Sequence, residues 1–242
     1  SNYNQTVTIS FRPKLPDIGG LNRFLETSGS YNVVYSLLDP LQTDPAQKYI
    51  VREGKYTSNF RLSPVFRWRQ FGNEIFGTPA KGDSSVGRIV QDIFFGFENF
   101  TLTLNQSTNA LNKGVLGETG FSNLWGRTLT FRDNLPANGP NTAYQMGLIT
   151  DPHGDVKMLS TSAFPFIRFE TTPGIRPANA VMQDDYSQKS NFQFQTNRTM
   201  WPGATLDITM KSDLGYSRNQ RLQTDALGVP TFSNINKRQT LE

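Results

Sequence analysis

The sequence predicts an all-β protein, an antiparallel meander of long strands, and three observations carry that expectation. Apolar and uncharged polar side chains alternate with period two in several stretches, which sorts them onto opposite faces of a strand. No helical period is sustained for three turns. Hydrophobic residues (36%) and charged residues (18%) both fall below globular averages, and Asn, Gln, Ser, Thr and Gly fill the difference. Aromatics at 12% and a net charge of only +4 argue against disorder. The 242 residues are expected to form a single β-rich segment.

The elements follow in order. Tyr3, Val7, Ile9 and Phe11 alternate with Asn4, Thr6, Thr8 and Ser10, a strand that Pro13 and Pro16 end. After Gly19-Gly20, residues 21–26 read as a short helix or an irregular crossing. Tyr31, Val33, Tyr35 and Leu37 mark a strand over 30–38. Residues 39–56 read as a loop, opened by Asp39-Pro40 and containing Asp44-Pro45 and Gly54. Phe60 and Leu62, then Phe66 and Trp68, suggest two strands broken at Pro64. Residues 72–88 read as a second loop. The strongest strand signal is Val90 to Leu104: Ile93, Phe95 and Phe97 alternate, and after a slip at Glu98-Asn99 so do Phe100, Leu102 and Leu104. Such a slip predicts a bulge or a tight turn.

Residues 105–126 read as a third loop, punctuated by Gly114, Gly117 and Gly120 and ending at Leu124-Trp125. Shorter strands are expected at 127–132, 143–149, 156–160 and 164–170. The last third predicts a hairpin, with arms over 190–199 and 204–216 and the turn at Trp201-Pro202-Gly203. Each arm is close to the roughly 9–11 residues of a tilted transmembrane strand, and an aromatic at the turn suits the interfacial girdle of a barrel. On spacing alone, a long hairpin of a soluble sandwich fits equally well.

Cysteine is absent, which excludes disulfides and thiolate chemistry. His153 is the one histidine. The mean hydropathy of −0.48 and the lack of a long apolar run exclude a transmembrane helix, though not a barrel. The pI of about 9.3 raises the question of nucleic acid. The basic residues are spread along the chain, with Lys237-Arg238 as the one doublet, so no nucleic-acid partner is expected. Gly114, Gly117 and Gly120 lack the Gly-Lys-Ser/Thr ending of a phosphate loop. Asp151-Pro152-His153-Gly154-Asp155 reads as turn chemistry before it reads as a metal site. Glu98 and Glu170 can be nominated as a carboxylate pair, but 20 acidic residues offer many such pairs. Asp184-Asp185 reads as a solvated loop. No catalytic residue, metal or cofactor is expected. Arg168 and Glu170, two apart in Phe164-Pro-Phe-Ile-Arg-Phe-Glu170, share a polar face; with Arg127 and Arg176 they read as non-catalytic, that face being the lumen wall in a barrel and the outside in a soluble sandwich.

Several stretches resemble a known family: Gly96–Leu104, Gly120-Phe-Ser-Asn-Leu-Trp-Gly-Arg127, Phe164–Glu170, Pro173-Gly-Ile-Arg-Pro177, Trp201-Pro-Gly-Ala-Thr-Leu206 and Gly215-Tyr-Ser-Arg-Asn219. They are similar to the SprA/Sov proteins, the outer-membrane translocons of type IX secretion in Bacteroidota. The likeness runs from about residue 90 onward. It implies a very large single-chain barrel in the bacterial outer membrane, through which folded cargo with a C-terminal sorting domain passes. The partners it implies are secreted cargo proteins, plug and lateral-gate subunits, and outer-membrane lipid. The chain, which starts in mid-pattern at Ser1, would be one portion of that wall. Trp125, Arg127, Phe164, Arg168, Glu170, Arg176, Pro177, Trp201 and Gly203 would then be structural or pore-wall positions, none of them catalytic.

Two alternatives stay open: a different outer-membrane receptor or porin-like barrel, and a soluble β-sandwich whose aromatics stack on carbohydrate. A barrel expects Val7, Ile9, Phe11, Leu206, Ile208 and Met210 against lipid, and poor solubility of the isolated chain without detergent. A sandwich expects the same residues buried under a second sheet.

Overall fold

A computed structural model of the chain describes residues 2–14, 20–38, 52–77, 86–117, 139–160 and 168–241. Period-two sequence produces strand wherever it is sustained: β1 (Tyr3–Phe11), β2 (Leu25–Leu38), β3 (Arg52–Phe66), β4 (Phe97–Val115), β5 (Val156–Ser160), β6 (Arg168–Thr171), β7 (Val181–Trp201), β8 (Ala204–Thr224) and β9 (Pro230–Leu241). Among the described residues three short helices join them, α1 (Trp68–Phe76), α2 (Val86–Phe95) and α3 (Thr142–Gln145). A single 3-10 turn at Leu21–Arg23 occupies the expected crossing before β2. Seven strands make one sheet in the order β1-β2-β3-β4-β7-β8-β9, every pair antiparallel; β5 and β6 form a separate pair. The all-β meander is therefore the architecture of the described residues.

The strands are longer than their apolar patterning suggests, because polar residues carry the same alternation onward. The third expected loop is strand as far as Val115, and residues 52–56 of the first expected loop open β3. Residues 39–51 and 118–126 of those loops lie outside the described residues, as do the strand expected at 127–132 and positions 164–167. Pro64 does not break β3. Pro64 stays opposite Thr27 in the β2–β3 ladder, while the β3–β4 ladder has a gap between Leu62 and Val65 around it.

Two expectations are corrected to helix. Residues 72–76 and 86–88 of the second expected loop belong to α1 and α2, and 78–85 lie outside the described residues. Residues 90–95, expected as strand, complete α2. Val86, Ile89 and Ile93 recur at helical spacing there, and the alternation of Ile93, Phe95 and Phe97 is too short to compete. The slip around Glu98-Asn99 is present as a register irregularity between Phe97 and Phe100. Residues 143–149, expected as strand, hold α3 and a turn.

The hairpin of β7 and β8 has arms of 21 residues, twice the expected length. Pro202 and Gly203 (φ +90°) form its turn, the type II pattern of proline followed by a positive φ. That pattern does not match strand twist, and the register shift between Thr199 and Trp201 takes up the mismatch.

The segment 139–155, between β4 and β5, folds back onto one face of the sheet and supplies much of its core. Asn141 caps α3 by accepting from the Tyr144 N–H at 2.8 Å, and its amide donates to the Gly154 carbonyl at 3.1 Å. This aims Tyr144 edge-on between Tyr35 and Tyr56, with ring centroids at 5.9 and 5.2 Å. Its hydroxyl shares a proton between Asn112 Oδ1 at 2.8 Å and the Gly54 carbonyl at 2.9 Å. Gly54 has to be glycine: an added Cβ would lie 3.2 Å from that hydroxyl and 2.9 Å from Val115. Val33, Leu37, Ala110, Val115, Ala143, Ile149, Tyr186 and Tyr216 complete the cluster.

Tyr144→Ala is expected to lower stability by about 3–5 kcal/mol through the cavity it leaves. Tyr144→Phe, which removes only the hydroxyl, is expected to cost about 1–3 kcal/mol. Denaturant titration of both variants in detergent, followed by near-ultraviolet tyrosine dichroism, checks the ranking.

Candidate functional site

Directly opposed residues of antiparallel strands share a face, so the registers assign every side chain of the sheet. One face carries polar rows. Ser10, Ser30, Arg61, Asn105, Asn191 and Asp213 stand opposite one another from β1 to β8, as do Thr6, Val34, Thr57, Asn109, Ser187 and Ser217. Hydrogen bonds run between these rows' side chains: Asn32 to Thr8 at 2.8 Å, Thr57 to Asn109 at 2.7 Å, and Asn191 to Asp213 at 2.6 Å.

The other face carries the apolar rows and divides along the strands. Toward the β2–β3 and β8–β9 connections, rows such as Val33-Ser58-Thr108-Gln188-Tyr216 lie beneath the inserted segment. Coverage stops at Gly147–Thr150, where a cavity of about 350 Å³ opens among Ile9, Phe11, Tyr31 and Phe60. Beyond it come the rows Phe11-Gly29-Leu62-Leu104-Phe192-Ser212, then Leu102-Phe194-Met210, then Leu25-Phe66-Phe100-Thr196-Ile208. Met210 is 62% exposed, and Ile9 and Leu206 are exposed as well. Neighbouring side chains half-bury the rest laterally, as Phe11 packs into the space Gly29 leaves and stacks on Phe60 at 6.5 Å. α1 packs on the last of these rows, Trp68 on Phe100 at 5.0 Å and Phe71 on Phe66 at 5.5 Å, and Thr196 is buried there. Val7, expected with Ile9 and Phe11, belongs instead to the covered end, packed against the tyrosine core.

The band ends at the short-turn end of the strands in an aromatic cluster. Trp68 packs on Phe95 at 4.9 Å and Phe100 at 5.0 Å, and Phe100 packs on Phe194 at 5.7 Å. Arg198 lies over the Phe97 ring at 5.7 Å, its charge paired with Asp92 at 3.3 Å. Trp201 is 63% exposed at the hairpin tip beside Gly203.

The covered end is fastened by a buried ion cluster. Arg176, expected on a pore wall, is instead fully buried. Its Nη2 donates to Asp151 Oδ2 at 3.0 Å and Asp184 Oδ2 at 3.2 Å, and its Nη1 to the Lys113 carbonyl at 2.6 Å. Asp184, expected in a solvated loop, is a buried position of β7 and also accepts from the Lys113 N–H at 3.2 Å. Asp151 accepts from the His153 N–H at 2.9 Å, the turn its Asp-Pro sequence predicts. His153 Nε2 accepts from the Leu116 N–H at 2.9 Å, which requires that nitrogen to be unprotonated. The cluster thus joins the insertion (Asp151), the strand after it (Asp184) and the end of β4 (Lys113) through one guanidinium. A cavity of about 280 Å³ reaches Asp151 and Asp184 from the side of Arg218 and Lys237, but both carboxylates already accept from Arg176 and from backbone N–H groups.

Burial raises the cost of ionising both carboxylates, and one guanidinium does not compensate them equally. For Asp151 the attraction of Arg176 and the His153 N–H outweigh burial, and its pKa falls below the usual value. For Asp184, burial and the neighbouring Asp151 outweigh Arg176, and its pKa rises. Asp184 therefore takes up a proton first.

The other expected positions are scattered. Arg168 pairs with Ser160 and Glu170 with Met158 across β5–β6, away from the main sheet's ladder. Pro177 is pinned to β8, its carbonyl accepting from Thr224 Oγ1 at 2.6 Å. Trp125, Arg127 and Phe164 lie outside the described residues. No three acidic or histidine side chains among the described residues group with metal-binding geometry. The alternation in β7 and β8 was a usable signal for the band; nothing near Arg176 in sequence signals the ion cluster, whose partners lie 25 and 8 residues away.

Arg176→Met is expected to destabilise the fold by about 3–5 kcal/mol, since two buried carboxylates lose their counter-ion. Asp184→Asn is expected to cost much less, because an amide retains the Lys113 contact and removes the repulsion. Asp151 has a depressed pKa, so its stabilising contribution is present above the ordinary carboxylate range and lost only as pH falls through the lower folded value. Unfolding followed against pH is expected to show that acid step in the parent protein and to lack it in Asp151→Asn.

Comparison with known proteins adds no name to this geometry: no protein-family model, curated protein or solved structure matches the chain.

Proposed function

We propose that this chain is a wall section of a bacterial outer-membrane β-barrel, and that the barrel is the protein-conducting translocon of type IX secretion. The observation that carries the membrane reading is the apolar band. From Phe192 to Trp201 at the hairpin tip it runs along β7 for about 31 Å at the antiparallel rise. At a strand tilt of about 40° this spans roughly 23 Å, close to the apolar belt of about 25 Å of such barrels. A water-soluble sheet would bury that band under a second layer, whereas here Ile9, Leu206 and Met210 stay exposed.

The remaining length of β7 and β8 projects beyond the bilayer, where water returns and the apolar face has to be covered by the chain itself. The inserted segment does this, and the Arg176 cluster holds it in place. The opposite face becomes the lumen. Its Asn, Thr, Ser and Gln side chains, with charges of both signs such as Arg61, Lys211 and Asp213 among them, hydrate a channel. The step from barrel to translocon rests on the resemblance of the sequence from about residue 90 onward to the SprA/Sov proteins. In that role the chain has no catalytic task; its partners are secreted cargo, plug and gate subunits and lipid.

These 242 residues contain no cysteine, so once any cysteine elsewhere in the protein is replaced, single cysteines test the membrane reading. In native membranes, single cysteines at Gln193 and Asn105 are expected to react with a membrane-impermeant maleimide once the lumen is reached. Cysteines at Phe194 and Met210 are expected to stay unlabelled until detergent is added. Equal labelling of both sets would end the barrel reading. For the translocon, depletion of the protein is expected to retain cargo with C-terminal sorting domains in the periplasm, measured by mass spectrometry of the culture medium. An unchanged set of exported proteins would leave a barrel of another kind.

A further inference from the structure

The connection between β3 and β4 spends its apolar residues unusually. α1 and α2 are nine and ten residues long, about 15 Å each, far too short to cross a hydrocarbon core of about 30 Å. Their inner sides are built for packing. Gly72 leaves room for the Phe95 ring, Phe71 meets Phe24 and Phe66 at 5.5 Å each, and Gln91 donates to Asn73 at 3.3 Å and the Gly77 carbonyl at 3.0 Å. Part of their outer side is apolar where a water-facing helix would be polar. Val86 (77% exposed), Ile89, Ile93 and Phe94 (62%) form one stripe along α2, and Ile75 and Phe76 extend it at the end of α1.

Two features say what faces this stripe. First, it is continuous with the apolar band. Trp68 donates its indole N–H to the Phe94 carbonyl at 2.6 Å and packs on Phe95 and Phe100, and Phe100 meets Phe194 in the band. Second, the border is amphipathic. Arg67 pairs with Glu26, Arg69 with Glu98 at 3.2 Å and Arg198 with Asp92 at 3.3 Å, all around the rim of the aromatic cluster. Arginine stems over apolar surface with hydrated heads, beside indole and phenyl rings, are the side chains of a membrane–water boundary.

We propose that α1 and α2 lie in the boundary between headgroups and acyl chains of one leaflet, at the short-turn end of the strands, with the stripe of α2 sunk into lipid. The inference rests on the membrane reading of the band. Where the strands cross the bilayer, the helix pair adds an in-plane foot at the rim of the wall. It fixes the depth of β3 and β4 and closes the gap between sheet and headgroups at that edge.

Depth-resolved fluorescence quenching tests it. The full-length protein is reconstituted into phosphatidylcholine–phosphatidylglycerol vesicles with a single environment-sensitive nitrobenzoxadiazole label at Ile89→Cys, Phe94→Cys, Glu74→Cys or Met210→Cys. Lipids spin-labelled near the headgroup are expected to quench positions 89 and 94 at least threefold more than position 74, and more than deeply labelled lipids do. Position 210, in the band, is expected to answer to the deep label. Positions 89 and 94 as unquenched as 74, with 210 quenched, would overturn the helix proposal and leave the barrel standing. Quenching at 89 and 94 without quenching at 210 keeps the helix pair on the membrane and removes the barrel reading. No quenching at any position overturns both.

Discussion

Everything in this molecule depends on one constraint: side chains of a strand alternate between two faces, and the hydrogen-bond register fixes which face meets which neighbour. Across six consecutive strands, from Phe11 through Gly29, Leu62, Leu104 and Phe192 to Ser212, opposed residues keep the apolar and polar classes apart. A slip of one residue in any pair would turn Leu62 or Phe192 onto the face that now holds Arg61 and Asn191. The irregularities lie where they do least harm, between Phe97 and Phe100 at the edge of the aromatic cluster and between Thr199 and Trp201 at the hairpin tip. The first of these puts Phe97 and Phe100 within 6.1 Å of each other.

The same apolar face meets two different surroundings along its length, and the chain treats them differently. At the covered end five of the eleven buried core residues are tyrosine, whose rings bury while their hydroxyls need partners. Tyr144 meets that need with Asn112 and Gly54, and Tyr31 donates to the Met146 carbonyl. At the open end, tyrosine gives way to Phe, Leu, Ile and Met. On the proposed membrane reading, that change of residue type along a single strand face is what a boundary between a wet compartment and lipid would require.

The Arg176 cluster explains how a long excursion between β4 and β7 settles in one place. A purely apolar patch would hold residues 139–155 against the sheet without choosing a position. A guanidinium that has to satisfy Asp151, Asp184 and the Lys113 carbonyl together admits few arrangements. The ion cluster contributes position more than it contributes net stability.

From the sequence by itself came the all-β class, β1 to the residue, the second half of β2, the turn of the long hairpin and the slip in β4. All of these rest on local alternation or on turn chemistry, which neighbours in the chain determine. The sequence did not reveal that residues 105–115 are strand, because Asn, Gln, Ser and Thr in a ladder look like loop until a partner strand is beside them. It also did not reveal that 90–95 is helix, since three alternating apolar residues satisfy both periods until packing on Trp68 decides. Only the tertiary structure decided which apolar residues are covered. Val7 and Ile9 are equivalent in pattern, and they differ because the insertion stops between them. Arg176 shows the same limit: a charged residue that pattern assigns to a wet wall is buried, because two carboxylates distant in sequence arrive beside it only when the fold is complete.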